Sequence, residues 1–268
     1  MAEPKRQTVR SLSNMKTRGE KIACLTAYDA SFTVALEEAG IDVLLVGDSL
    51  GMVVQGHTTT LPVTLDDVIY HSRHVARASR SALLIADMPF MADATIEMAL
   101  TAAARLMKDG GVHMVKLEAA AMQAEIVEAL ARRGIPVCAH LGLQPQSVHK
   151  LGGYRVQGRS QEAAESILQE ADRLVSAGAD ILLLECIPST LAAEVTRQCA
   201  VPVIGIGAGP SCDGQILVTY DMLGLSCGRR PRFSRDFLAE SESIQAAMKA
   251  YVDHVKAGTF PAREHEFE

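Results

Sequence analysis

The sequence has no tryptophan, and aromatic residues make up only 4% of its 268 positions. That scarcity leaves no stacking platform for single-stranded nucleic acid. Positive charge is also in deficit: 26 Lys and Arg against 32 Asp and Glu give a formal charge of −6, which excludes a chain built to sit on nucleic acid or an anionic membrane. No apolar run reaches the roughly 18 residues of a membrane span. There is no C-x-x-C pair either. The six cysteines, Cys24, Cys138, Cys186, Cys199, Cys212 and Cys227, are scattered, and several fall in apolar runs; they read as reduced, buried thiols of a cytoplasmic protein. The opening stretch is basic (Lys5, Arg6, Arg10, Lys16, Arg18) but lacks the apolar segment and cleavage site of a secretory signal. It reads as a short basic arm running into a helix.

What is present is a repeating pattern. Short aliphatic runs alternate with longer amphipathic stretches, which is the signature of a parallel sheet with crossover helices. Strands are predicted at Ile22–Thr26, Val43–Gly47, Leu83–Ala86, Met114–Leu117, Val137–His140, Ile181–Leu184, Val203–Ile206 and, more weakly, Ile216–Val218. Helical spacing occurs at 30–39, 65–79, 95–108, 123–133, 162–177 and 191–199, several with a glycine just beyond: Gly40, Gly110, Gly134 and Gly178. Eight strands, and no nucleotide fingerprint after the first, favour a closed (β/α)8 TIM barrel over an open doubly wound sheet. No break in composition marks a second domain, so one barrel domain over 1–268 is expected, with an N-terminal helical arm and a final helix over about 236–256. The connections 49–64 and 141–160 are too long for plain turns, and such loops tend to be functional.

Four predicted strands end on an acid: Asp48, Asp87, Glu118 and Glu185. One acid after a strand is an ordinary turn or cap residue. Four at the same face of a barrel repel one another and call for a cation, a basic partner or shifted pKa values. An all-oxygen donor set without thiolate or paired imidazoles suits Mg²⁺ rather than Zn²⁺. Lys116 lies two residues before Glu118, so strand alternation aims both side chains into the mouth. His140, ending the fifth strand, reads equally as a substrate contact or a hydrogen-bonded core histidine. His71 and His74 read as an exposed helix face. The glycines 205, 207 and 209 resemble a barrel phosphate loop, although tight packing explains them as well. Cys212 has no local base to activate it.

The segments GEKIACLTAYDASF, LLVGDSLGMVVQGHTTTLPVTLDD, IADMPF, VKLE, AHLGLQPQSVHKLGGYRVQGR, LLLECIP, IGIGAGPSCDGQILVTYDMLG and GTFPAREHEF resemble, in order, the motifs of the ketopantoate hydroxymethyltransferase family, from Met15 to Phe267. The resemblance implies a decameric (β/α)8 barrel. It also implies transfer of a hydroxymethyl group from 5,10-methylenetetrahydrofolate to 3-methyl-2-oxobutanoate, the first step of pantothenate and coenzyme A synthesis. Carried over by position, Asp48 and Asp87 would bind Mg²⁺, with Glu118 near it through water. Asp48, Ser49, Asp87 and Lys116 would hold the oxo acid, with His140 as a further contact, and Glu185 would be the proton acceptor. Thr58-Thr59, where the family commonly has Asp-Ser, and Gln144 and His149 depart from its pattern on the folate side. Lys150, Arg155 and Arg159 are expected, from charge alone, to meet the folate's glutamate tail. The competing possibilities are a lyase or mutase of the phosphoenolpyruvate mutase and isocitrate lyase group, and a barrel without turnover. Lyases of that group share a catalytic cysteine after the fourth strand; here that region reads KLEAAAMQAE. No apolar stripe in the sequence dictates an oligomer.

Overall fold

The computed structural model describes residues 5–119, 123–226, 228 and 230–268. Eight strands form the sheet: β1 (Ile22–Thr26), β2 (Val43–Val46), β3 (Leu83–Asp87), β4 (Met114–Glu118), β5 (Val137–Gly142), β6 (Ile181–Glu185), β7 (Val203–Ile206) and β8 (Gly214–Leu217). Each pairs in parallel with the next, and β8 closes on β1 through Ile22↔Gly214 and Cys24↔Ile216. Helices cover the outside, so both faces of every strand are screened from water. This is why the strands are continuous aliphatic runs and why only Gly142 and Glu185, at two strand ends, are less than buried.

The helices start where their side chains satisfy the first free N–H groups. Thr64 and Asp67 form a capping box on Leu65–Ala78, and Thr95, Ser160 and Ser243 cap Ile96–Lys108, Gln161–Ser176 and Ile244–Lys256. The last case corrects the expected helix over 236–256. Ser243 starts it seven residues later than Asp236, after a separate 3₁₀ turn at Leu238–Glu240. Tyr251 on this helix is fully buried, its hydroxyl 2.8 and 3.0 Å from the carbonyl oxygens of Cys24 and Gln215 at the β1–β8 seam. Gly110 falls just beyond Ile96–Lys108 as expected, and a side chain there would strike the Leu106 carbonyl; the left-handed residue is the next one, Gly111, with φ +78°.

The basic arm has a structural explanation. Arg6 donates to the carbonyls of Ser79 and Ala82, Gln7 to Asp42, and Lys16, on the helix Val9–Arg18, to Asp213 at 2.7 Å. All these partners lie at or before the starts of strands, so the arm closes the bottom of the barrel, with Leu12 and Met15 buried beneath it. Among the described residues no helix is long and apolar enough to cross a membrane. Five cysteines are free thiols, four of them buried and Cys199 half-buried; Cys227 lies outside the described residues.

Candidate active site

At the carboxyl ends of the strands the sheet register brings acids and a base together. Asp87, the last residue of β3, is the neighbour of Lys116 in β4, and Lys116 Nζ donates to Asp87 Oδ1 at 2.7 Å. The Asp48 backbone N–H donates to Asp87 Oδ2 at 2.9 Å. That approach requires glycine at 47, where a Cβ would sit 2.7 Å from the Ser49 hydroxyl and 3.4 Å from the Asp87 carboxylate. Glu118 pairs with His140 across β4 and β5, and Glu185 ends β6. These side chains, with Ser49, line one cavity of about 670 Å³, walled by Leu45, Leu143, Leu183, Ile206 and Ile216. Of the three leucines preceding Glu185, only Leu183 faces the cavity, as strand alternation requires.

The two long connections meet over this floor. The one after β5 folds into a 3₁₀ turn (Pro145–Ser147) and a short helix (Val148–Leu151), which aim Gln146 inward. Its backbone N–H donates to Glu118 Oε1 at 2.9 Å, and its side-chain amide donates to Asp48 Oδ2 at 2.8 Å and to the Met88 carbonyl at 3.0 Å. Tyr154 reaches Met52 of the β2 connection, Oη to Sδ 3.5 Å. Ser49 is in turn 2.9 Å from the hydroxyl of buried Tyr28. Sequence analysis did not single out Gln146 or Tyr28: each acts through one long-range contact that leaves no periodic trace.

Burial sets the electrostatics. Loss of water raises Asp48 to about 7, with repulsion from Asp87 adding to it and Lys116 and the Gln146 amide opposing it. Desolvation likewise raises Glu118 to about 9 against the pull of Lys116, and Glu185 to about 8. Burial alone would lower Lys116, but Asp87 and Asp48 outweigh it and its pKa is raised, so it stays charged. Burial drives His140 well below its usual value, which leaves a neutral ring. Its Nε2 lies 3.2 Å from Glu185 Oε2, an ion-pair distance, yet the angle is wrong for a hydrogen bond, and neither ring nitrogen has a partner among the described residues. A neutral ring beside an acid at that angle is a contact and not an ion pair.

Four carboxyl groups against one lysine leave the floor with more acids than its own cation can balance once they ionise. Asp48, Asp87 and Glu118 are the oxygen donors available to a divalent cation. Among the described residues, no group of three or more His, Cys, Asp or Glu is already gathered as a metal cage; Lys116 and Gln146 hold all three of these carboxylates meanwhile.

The family model for ketopantoate hydroxymethyltransferase matches residues 6–263. The chain is 59% identical over 260 residues to the 3-methyl-2-oxobutanoate hydroxymethyltransferase of Alkalilimnicola ehrlichii, covering 97% of this chain and 94% of that one. It is also 59% identical over 261 residues to the enzyme of the same name from Halorhodospira halophila, with the same coverage. The chain belongs to the ketopantoate hydroxymethyltransferase family. Among solved structures, 2,3-dimethylmalate lyase, a PEP mutase/isocitrate lyase superfamily member, superposes with a TM-score of 0.57 at 18% identity, covering 82% of this chain and 81% of that one. That likeness extends to the barrel fold alone, so the lyase alternative is a distant structural relative. Part of the region after β4 that bears on it, residues 120–122, lies outside the described residues.

In this hydroxymethyltransferase several sequence motifs have other uses. A Cβ on Gly207 would lie 3.0 Å from the Phe233 ring and 3.1 Å from that of Phe267; aromatic packing accounts for this glycine, and the phosphate-loop reading finds no support. His71 is half-buried, its Nδ1 2.7 Å from the Tyr28 carbonyl, which corrects its assignment to an exposed face. Burial pushes the Cys212 thiol up to about 12, away from nucleophilic use. Of the three cations expected on the folate side, Arg155 lines the cavity, whereas Lys150 and Arg159 do not; Arg230 and Arg232 do, and sequence analysis passed over them.

Proposed function

We propose that this chain transfers the one-carbon unit of 5,10-methylenetetrahydrofolate to C3 of 3-methyl-2-oxobutanoate, giving 2-dehydropantoate (ketopantoate) and opening pantothenate and coenzyme A synthesis. The observation that carries the reading is the position of Glu185: a carboxylate with a pKa of about 8, walled by Leu183 and Ile206, on the same floor as Lys116. A base near neutral pKa is suited to take a proton from carbon. The aliphatic wall suits the isopropyl group of the oxo acid, and Lys116 and Ser49 suit its carboxylate and carbonyl oxygens.

Asp48 and Asp87 would hold a Mg²⁺, with Glu118 contributing through water; the oxygen-only donor set fits such an ion, which would favour the ionised form of these raised carboxyl groups. When bound, it supplies Lewis-acid stabilisation of the enolate oxygen. The chain's own groups do the rest. Glu185 takes the C3 proton, and the electron pair left on C3 forms the bond to the methylene carbon. Both bonds from that carbon to folate nitrogens break, and water supplies the hydroxyl oxygen, so no oxidant is needed. Lys116 adds fixed positive charge beside the developing oxyanion. His140, neutral and with neither nitrogen partnered among the described residues, is placed to donate to a bound oxygen. Gln146 and Tyr154 help the loops exclude water.

The decamer implied by the resemblance, and a cytoplasmic location, belong to the same proposal. Support for assembly comes from Phe90, Met91 and Met98, large apolar side chains 45 to 54% exposed that line one shallow groove after β3.

The test is proton NMR of 3-methyl-2-oxobutanoate in D₂O with the protein, with and without Mg²⁺, followed by addition of the folate. Metal-dependent loss of the C3 proton signal and then ketopantoate are expected. Absence of ketopantoate after folate addition would remove the transferase reading.

A further inference from the structure

The cavity differs in chemistry between its two ends. Its floor holds four carboxylates and one lysine, whereas its mouth is edged by Arg155 on the connection after β5 and by Arg230 and Arg232 on the segment after β8. Arg230 is held by Asp236 at 3.3 Å. Arg232 gives its Nε–H to the Glu264 carbonyl at 3.0 Å and lies 5.8 Å from the centre of the Phe267 ring. Among the described residues no carboxylate pairs with Arg155 or Arg232. Phe267 stands edge-to-face with Phe233, ring centres 6.5 Å apart, and its carbonyl accepts from the Ser189 backbone N–H at 3.0 Å, which fixes the tail of the chain at the cavity mouth. Tyr154, beside Arg155, is 51% exposed at the same cavity.

A small oxo acid on the floor leaves much of about 670 Å³ unfilled, a volume that suits a drug-sized molecule. The remaining space has aromatic rings and two guanidinium groups that no carboxylate pairs with among the described residues, the chemistry that takes a flat ring system followed by a tail bearing further carboxylates. We propose that Arg155 and Arg232 bind the anionic tail of the carbon donor, while Phe233, Phe267 and Tyr154 line the path of its rings towards Glu185. The assignment rests on the folate reading given above. It moves the tail site away from Lys150 and Arg159, onto two segments that both reach the cavity.

The experiment is steady-state kinetics of the full chain with Mg²⁺ and two donors: 5,10-methylenetetrahydrofolate and methylenetetrahydropteroate, the tail-less analogue that lacks the glutamate and its two carboxylates and keeps only the carboxylate borne directly on the ring. The intact protein is expected to show a KM about tenfold or more higher for the tail-less donor, the size of one or two charge-assisted hydrogen bonds. Arg155→Ala and Arg232→Ala are each expected to raise KM for the glutamylated donor several-fold, more at low salt than at high, and to leave KM for the tail-less donor in place. The preference between donors then collapses. Arg232→Lys is expected to restore only part of it, because a point charge replaces a planar fork. Equal KM values for the two donors on the intact protein, or the same shift on both donors in the variants, would overturn the tail site while leaving the transferase reading intact. No ketopantoate from either donor would overturn both.

Discussion

Lys116 Nζ and Asp87 Oδ1 lie 2.7 Å apart, with side chains only 7% and 3% exposed. Removing one partner of a buried pair strands the other charge, at a cost of about 3 to 5 kcal/mol. Lys116→Ala is therefore expected to lower the stability of the metal-free protein by about that amount, read by urea unfolding. Mg²⁺ should recover part of the loss, since a cation beside Asp87 replaces the missing charge. A variant as stable as the parent without metal would show that the buried pair contributes nothing to the fold.

Glu185→Gln keeps the shape of the proposed base and removes its ability to accept a proton. The variant is expected to bind the oxo acid and Mg²⁺ with little change and to lose C3 proton exchange by about 10² to 10⁴-fold, the range for a general base. Calorimetry checks the binding, and deuterium incorporation checks the rate. Exchange at the parental rate would take Glu185 out of the role.

Much of this site could be read along the chain. The strands were legible because burial on both faces demands continuous aliphatic runs, and Asp48, Asp87, Glu118 and Glu185 were legible because each closes such a run. The start of the last helix was misjudged: the stretch from Asp236 has helix-forming residues, but Ser243 is the better cap and sets the boundary. Gln146 was not legible, because its use depends on a fold that brings it to Asp48, 98 residues away. Phe267 was hidden for the same reason, since only the docked tail brings it to Gly207.

Gln146→Ala tests that long-range contact. The backbone N–H that serves Glu118 survives, whereas the side-chain bonds to Asp48 and the Met88 carbonyl are lost. Mg²⁺ affinity is expected to fall about 10 to 100-fold, the usual consequence of removing a group that orients a metal ligand. Titration calorimetry reads this directly, and unchanged affinity would reduce Gln146 to a loop anchor.

The three raised carboxyl groups fix the pH dependence of the metal-free protein. Asp48, Glu118 and Glu185 titrate at about 7, 9 and 8 in the folded state, against ordinary carboxylate values when unfolded. Between those limits the folded state binds more protons, so unfolding becomes easier as pH rises. Stability present in mild acid is therefore expected to drain away up to about pH 9. About 1 kcal/mol moves Tm by about 2 to 4 °C at this chain length, so a scan in chelator should resolve the slope. Mg²⁺ favours the ionised carboxylates, so its stabilisation should grow over the same range. A metal-free Tm that rises with pH would contradict the shifts.

Cys186, directly after Glu185, has φ +48°, a left-handed conformation that a side chain disfavours. Its N–H donates to the Ile206 carbonyl and its own carbonyl accepts from Gln157, both at 2.9 Å, so the strained residue ties the proposed base to β7 and to the long connection after β5. Cys186→Gly relieves the backbone, and the extra freedom of the unfolded glycine offsets the gain, so stability should stay within about 1 kcal/mol. Cys186→Val places a β-branched side chain where it fits worst and should cost about 1 to 3 kcal/mol. If the turn also aims Glu185, the valine variant loses C3 exchange beyond what its stability accounts for, and the glycine variant retains it. Equal exchange rates at full folding in both would confine Cys186 to backbone geometry.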